Sequence, residues 1–276
     1  MNAPSPTTPA VASKPFVELI NVGLTYGEDK NSLLALEGLD LSVQKGEFVA
    51  LVGPSGCGKS TTLKLISGLR PPNDGSVVIA GREVDRPLKI VGMAFQNPTL
   101  LPWRSVISNV LLPLEIVEPY CRSFRRDIRK HREEAMQLFE MVGLKDVADR
   151  YPWQLSGGMQ QRVSLCRSLI HKPELLLLDE PFGALDAFTR EDLWDVLKTL
   201  RRERNFTAIL ITHDLTESVY LADRVHVLSN RPGRIIYSRD IAPEVHKDRH
   251  SRFTPAFADE VFRLREHVGI AQENGA

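Results

Sequence analysis

The sequence predicts an α/β protein: a mostly parallel sheet with helices on both faces. Three observations carry that expectation. Apolar runs of strand length recur at Glu47–Gly53 ("EFVALVG"), Glu174–Asp179 ("ELLLLD") and Ala208–Thr212 ("AILIT"), and strands covered on both faces read this way. Helical segments alternate with these runs, as in a sheet wound by crossover connections. A Gly-rich turn at Gly53–Thr61 joins the first run to a helix.

Composition sets the frame. The chain has 276 residues, 42% apolar and 25% charged, ordinary for a globular protein. Lys+Arg and Asp+Glu balance at 35 each, so the basic excess of a nucleic-acid binder is missing and no nucleic-acid partner is expected. Cys57, Cys121 and Cys166 lack disulfide or metal spacing and read as reduced thiols. No run reaches the ~20 apolar residues that span a bilayer. The opening "MNAPSPTTPAVASKP" has no basic start and no apolar stretch, so residues 1–15 read as a disordered tail rather than a secretory signal.

The elements follow in order. Phe16–Tyr26 and Leu36–Gly46 alternate as half-buried strands. After the run at Glu47–Gly53, a helix is expected from Lys59, carrying Leu63, Leu65, Ile66 and Leu69. Gly75–Gly81 and Ile90–Gln96 read as further strands. From about 100 to 164 the chain becomes helical and charged, with Ile128, Ala135, Leu138, Phe139 and Val142 on one stripe. The basic run Arg122–Arg132 is read as the solvated face of that helix, supported by Glu133 and Glu134. Strand and helix then alternate through Ala187–Arg204, Ala208–Thr212, Leu215–Ala222 and Arg224–Ser229. Residues 241–276 read as a tail with a short helix, Pro255–Val268, bearing Phe257, Val261, Phe262 and Leu264.

The turn "GPSGCGKST" (Gly53, Pro54, Ser55, Gly56, Cys57, Gly58, Lys59, Ser60, Thr61) fits G-x-x-x-x-G-K-[ST] between strand and helix, the context a phosphate loop needs. Its glycines let backbone N–H groups face a phosphate, Lys59 supplies charge, the Ser60 hydroxyl is a Mg²⁺ ligand, and the helix N-terminus favours an anion. Cys57 stands at a free position of the motif. Asp179 and Glu180 end a buried strand. In a doubly wound sheet that end shares a crevice with the phosphate loop, which makes Asp179 a Mg²⁺ partner and Glu180 the group that orients and deprotonates an attacking water. Gln96 and His213 end two more strands; Gln96 can reach the metal or the water, His213 the γ-phosphate. Tyr26 follows the first strand and either stacks on a base or fills core. A second anion seat stands about a hundred residues downstream, where Ser156, Gly157 and Gly158 open the helix of "QLSGGMQQRVSLCRSLI".

The order Tyr26, "GPSGCGKS", Gln96, "LSGGMQQR", "LLLLDEP", "GALD", "THD" resembles the ATP-binding-cassette ATPases over Phe16–Tyr237, with Met159 where the signature often has Gln. The resemblance implies a P-loop NTPase core of RecA type with an N-terminal antiparallel β part, a cassette spanning 16–240 with a helical subdomain inserted at about 100–164, and ATP and Mg²⁺ as cofactors. It also implies a head-to-tail dimer, or a pair with a second cassette, in which Ser156, Gly157, Gly158 and Asp186 of one chain meet the ATP of the other. The single cassette and the wording of "LLPW" and "RPGRI" resemble the nitrate/sulfonate/taurine-type importers. That implies a peripheral motor on the cytoplasmic face of the inner membrane, working with two permease subunits and, through them, a periplasmic solute-binding protein. A groove near Leu100, Leu101 and Trp103 would then receive a permease helix. The alternative within the same resemblance is a soluble cassette ATPase acting on nucleic acid or a protein complex.

Overall fold

The computed structural model describes residues 14–27, 32–246 and 248–273; the tail expected at 1–15 lies almost entirely outside them. Ten strands and eight α-helices are described. The first part runs β1 (Val17–Tyr26), β2 (Leu33–Val43), β3 (Phe48–Val52), α1 (Lys59–Ile66), β4 (Asp74–Ile79), β5 (Arg82–Glu83) and β6 (Val91–Ala94). The insert holds α2 (Val106–Ile116), α3 (Tyr120–Ser123) and α4 (Ile128–Met141), and the chain returns through α5 (Gly157–Leu169). The last part runs β7 (Leu175–Asp179), α6 (Ala187–Arg204), β8 (Thr207–Ile211), α7 (Leu215–Leu221), β9 (Arg224–Leu228), β10 (Ile235–Asp240) and α8 (Pro255–Glu273).

Two sheets organise these elements. The larger has the order β10-β9-β3-β8-β7-β6. All of its pairings are parallel except β9 with β10. The smaller, β2-β1-β4-β5, is antiparallel. The buried strands β3, β7 and β8 send alternate residues to two cores. Phe48, Ala50, Val52, Leu176, Leu178, Ala208 and Leu210 face the helices of the insert, α5 and α6. Val49, Leu51, Leu175, Leu177, Ile209 and Ile211 face α1 and the antiparallel sheet. Burial on both faces is why these strands read as unbroken apolar runs rather than as alternating ones.

Local sequence fixes the helix ends. Asp186 starts α6 by accepting from Thr189 N–H at 3.0 Å, and Asn205 stops it in the left-handed conformation at φ 50°. Ser105 starts α2 in the same way, accepting from Ser108 N–H. Three details differ from expectation. Leu69 lies beyond the end of α1 and is 54% exposed, and Ile128 is exposed at the start of α4, so neither joins the core stripe. Strand β10 had no forecast: it pairs on one edge only, and half of its residues are exposed. Helix α8 is 19 residues long rather than short. It buries Phe257, Leu264 and Ala271 but leaves Phe262 61% exposed. The arginines and lysines of the basic run are solvated as expected, with Arg122 bonded to Glu118, Arg126 to Asp127 and Arg132 to Asp149, whereas His131 is buried against Phe124.

Candidate active site

The carboxyl ends of β3, β7 and β8 adjoin in the parallel sheet. The residues that follow each strand meet there, which is where ligands gather in such sheets. After β3, the loop 53–61 turns through positive φ at Gly56 (79°) and Gly58 (103°). A Cβ on Gly58 would lie 2.6 Å from Leu36 Cδ2 and 3.0 Å from Ala35 O, so only glycine fits between the loop and β2. The Lys59 ammonium is buried and folds back on its own loop, donating to the carbonyls of Gly53 (2.8 Å) and Pro54 (2.7 Å). Cys57 is fully buried, and burial pushes its thiol up despite the charge of Lys59. It is a packed small side chain, not an activated one.

After β7 and β8 come the groups that complete the cleft. Ser60 Oγ donates to Asp179 Oδ1 at 3.0 Å. Burial holds the Asp179 carboxyl above its ordinary range, against that hydrogen bond, and the neighbouring Glu180 charge adds to the effect. Glu180 Oε2 accepts from Gln96 Nε2 at 3.3 Å and lies 3.2 Å from His213 Nδ1. Its backbone has φ 45°, a left-handed conformation that costs a carboxylate residue about 1 kcal/mol or more. The strain aims this one side chain at both of its neighbours. Behind His213, Glu217 is buried with Thr212 Oγ1 donating to it at 2.8 Å, and burial pushes its carboxyl up to about 8.

Tyr26, Ser55, Gly56, Gly58, Lys59, Ser60, Thr61, Gln96 and Glu180 all line one open cleft of about 340 Å³. Tyr26 packs its ring on the edge of the antiparallel-sheet core and also faces the cleft: its hydroxyl is 3.2 Å from Thr61 Oγ1 and the Arg70 guanidinium lies 4.5 Å over its ring. Among the described residues no cluster of three or more His, Cys, Asp or Glu could cage a metal. Mg²⁺ does not need one, because it is held by one or two protein oxygens with the phosphates and water supplying the rest. The Ser60–Asp179 pair fits that donor set, and Gln96 lines the same cleft as Ser60.

Ser156, Gly157, Gly158 and Asp186 are absent from the lining of this cleft. They lie together elsewhere: a Cβ on Gly158 would stand 2.9 Å from Leu185 Cδ2, whereas one on Gly157 would meet nothing within 4 Å. Ser156 is the N-cap of α5, accepting from Met159 N–H at 3.3 Å. Val163, Cys166 and Ile170 of the same helix are buried, so it packs by one face and presents its N-terminus by the other. The hydrogen bond from Thr189 holds the Asp186 carboxyl below its usual range.

Sequence reasoning missed three residues. Gln161 on α5 donates to Phe95 O at 3.3 Å, and Arg167 donates to Pro98 O (2.7 Å) and Thr99 O (3.0 Å). Together they tie the loop after Gln96 to the helix that bears Ser156. Arg231 lines the cleft from the turn between β9 and β10; its only sequence signal was the short "RPGRI". Trp103 is 72% exposed, whereas Leu100 packs on the core.

A G-x-x-x-x-G-K-S loop and a strand-end carboxylate pair on this sheet, with a serine-capped, glycine-led helix beside it, define a nucleoside-triphosphatase cassette. The ABC transporter family matches residues 36–183, more than half of the chain. The aliphatic sulfonates import ATP-binding protein SsuB of Bacillus licheniformis is 46% identical over 210 residues, covering 76% of this chain and 78% of the relative. The nitrate import ATP-binding protein NrtD of Synechococcus elongatus is 41% identical over 237 residues, covering 86% and 84%. Among solved structures, the dimeric post-hydrolysis state of the ATP-binding cassette MJ0796 bound to ADP and Pi superposes with a TM-score of 0.72 at 32% identity. It covers 82% of this chain and 99% of that one. The chain belongs to the ABC transporter family and carries its ATPase fold.

Proposed function

We propose that this chain is the ATP-hydrolysing motor of an importer for a small solute of the nitrate, sulfonate or taurine kind. In this reading it sits on the cytoplasmic face of the plasma membrane against two permease subunits, which receive solute from a periplasmic binding protein. The observation that carries it is the separation of two anion seats on one chain. Lys59, Ser60, Gln96 and Glu180 line one cleft, with Asp179 bonded to Ser60 and His213 beside Glu180, while Ser156 and Gly157 are exposed and outside its lining. A second copy of the cassette, placed head to tail, brings each seat to the other's γ-phosphate.

The residues then divide the work. Tyr26 stacks on the adenine, and the backbone of 53–61 with Lys59 cradles the phosphates. Ser60 and Asp179 would hold Mg²⁺, with Gln96 lining the same cleft, and the ion would supply charge neutralisation for the phosphates. Glu180 orients the attacking water and takes its proton, held by Gln96 and His213. Ser156, with the N–H groups of Gly157 and Gly158, stabilises the transferred phosphoryl group from the partner copy, and trans-supplied stabilisers of this kind are worth ~10³–10⁵ in rate. ATP favours the closed pair over the open one, and hydrolysis releases it, so chemical energy becomes motion by differential affinity. Gln161 and Arg167 carry that motion from Gln96 to α5 and the insert. Trp103, exposed on the insert, is the contact for the permease.

The test is reconstitution with a permease pair and binding protein. ATPase is expected to rise with solute-loaded binding protein, and Trp103→Ala is expected to abolish transport while sparing basal hydrolysis. Strong stimulation by DNA or RNA with no permease response would support the soluble-cassette alternative instead.

A further inference from the structure

Arg231 stands at the mouth of the nucleotide cleft, yet it comes from the far end of the cassette. Its Nε and Nη2 donate to the Gly56 carbonyl at 3.2 and 2.9 Å. An arginine has five N–H donors in a planar fork. Those two bonds leave three free of any partner among the described residues, on a side chain that lines the cleft beside Lys59.

The turn that presents Arg231 is built to hold still. Ser229 N–H bonds to Arg234 O (2.8 Å), Ser229 Oγ donates to Pro232 O (2.8 Å), and Arg234 N–H donates back to Ser229 Oγ (2.9 Å). Asn230 Oδ1 accepts from the Arg231 N–H at 2.9 Å. The turn is also fastened to β2: Gly233 N–H donates to Ala35 O (2.9 Å), Glu37 N–H to Gly233 O (3.3 Å), and Arg234 bonds to Glu37. Gly233 packs against the phosphate loop itself, where a Cβ would lie 2.1 Å from Cys57 O. A long exposed side chain on a turn held this firmly loses little further freedom when it binds.

We propose that Arg231 is a nucleotide-contact residue that binds the phosphate chain of ATP through the free side of its guanidinium fork, a second cationic clamp beside Lys59. The inference rests on the ATPase reading above. The two cations differ in kind: Lys59 is a buried point charge within the loop, whereas Arg231 reaches in from outside it. Its planar fork matches two phosphate oxygens at once. Its bonds to Gly56 O keep it at the loop.

The test compares full-length wild type, Arg231→Ala and Arg231→Lys by displacement of a fluorescent ATP analogue with ATP, inorganic triphosphate and adenosine. For Arg231→Ala, ATP and inorganic triphosphate are both expected to weaken about tenfold, adenosine to stay within twofold, and the melting temperature of the nucleotide-free protein to hold. Arg231→Lys keeps the charge but not the fork and is expected to fall in between. ATP affinity within twofold of wild type would overturn the proposal. So would an equal loss for adenosine, or a Lys variant as weak as Ala together with a lower melting temperature, since both mark a merely structural role. If wild type itself bound no ATP, the ATPase reading would fall along with Arg231; normal wild-type binding with an unaffected Ala variant would sink the Arg231 role alone.

Discussion

Glu180→Gln isolates one atom's chemistry. The substitution is nearly isosteric at a side chain that makes two defined contacts, with Gln96 at 3.3 Å and His213 at 3.2 Å, both through Oε2. The glutamine carbonyl oxygen can keep both, and its amide takes the place of Oε1. The left-handed backbone at φ 45° is unchanged. Geometry is therefore kept and basicity is lost. Removing a positioned general base costs ~10²–10⁴ in rate, which is about 2.7–5.4 kcal/mol of barrier at 1.36 kcal/mol per decade. Single-turnover phosphate release is expected to fall by that factor, while equilibrium ATP affinity stays within threefold. Turnover within threefold of wild type would refute the role of Glu180 as base. Loss of ATP binding together with turnover would make it a structural support of the cleft instead.

Three further outcomes follow from particular contacts. Gly157→Asp places a carboxylate in open space at the α5 N-terminus and is expected to leave ATP binding intact while abolishing hydrolysis, read by parallel binding and phosphate-release assays. Gly158→Asp is a poorer probe, because its Cβ would press on Leu185. Gly92→Ala would place a Cβ 2.2 Å from Ser168 O, where backbone cannot yield cheaply. Overpacking of this kind costs about 1–3 kcal/mol, a melting-temperature fall of roughly 2–4 °C per kcal/mol. Glu217 titrates at about 8 in the fold against an ordinary 4.5, so the folded state holds the extra proton. That contribution is full below pH 4.5 and is lost as pH rises through 8. His226, pushed down to about 4 by burial, acts in the opposite sense below 6.5. Between pH 6.5 and 8.5, wild type is therefore expected to lose denaturant stability faster than Glu217→Gln; parallel curves would contradict the assignment.

What could be read from the sequence was whatever carried a periodic or punctuated signal. The central strands announced themselves because both faces are buried. Helix α6 was placed at Ala187–Arg204 because its limits are local chemistry, the Asp186 cap and the left-handed Asn205. The meeting of the 53–61 loop with Asp179, Glu180, Gln96 and His213 was legible because strand ends in a parallel sheet converge. Strand β10 was not, since an edge strand with alternate residues exposed looks like a polar linker. Arg231, Gln161 and Arg167 escaped for another reason: each acts on a backbone carbonyl more than 60 positions away, and no spacing rule reports such a partner. Phe262 shows the reverse error, an aromatic at helical spacing that the fold leaves 61% exposed.

The central claim is that one copy of this chain holds two half-sites that only pairing completes. The most direct measurement is the specific ATPase rate as a function of protein concentration, with molecular mass followed in parallel for Glu180→Gln plus ATP. Rate per molecule is expected to rise with concentration toward a plateau, and the variant is expected to sediment as a dimer with ATP and as a monomer without it. A specific rate that stays flat down to concentrations where only monomer is present would contradict the account.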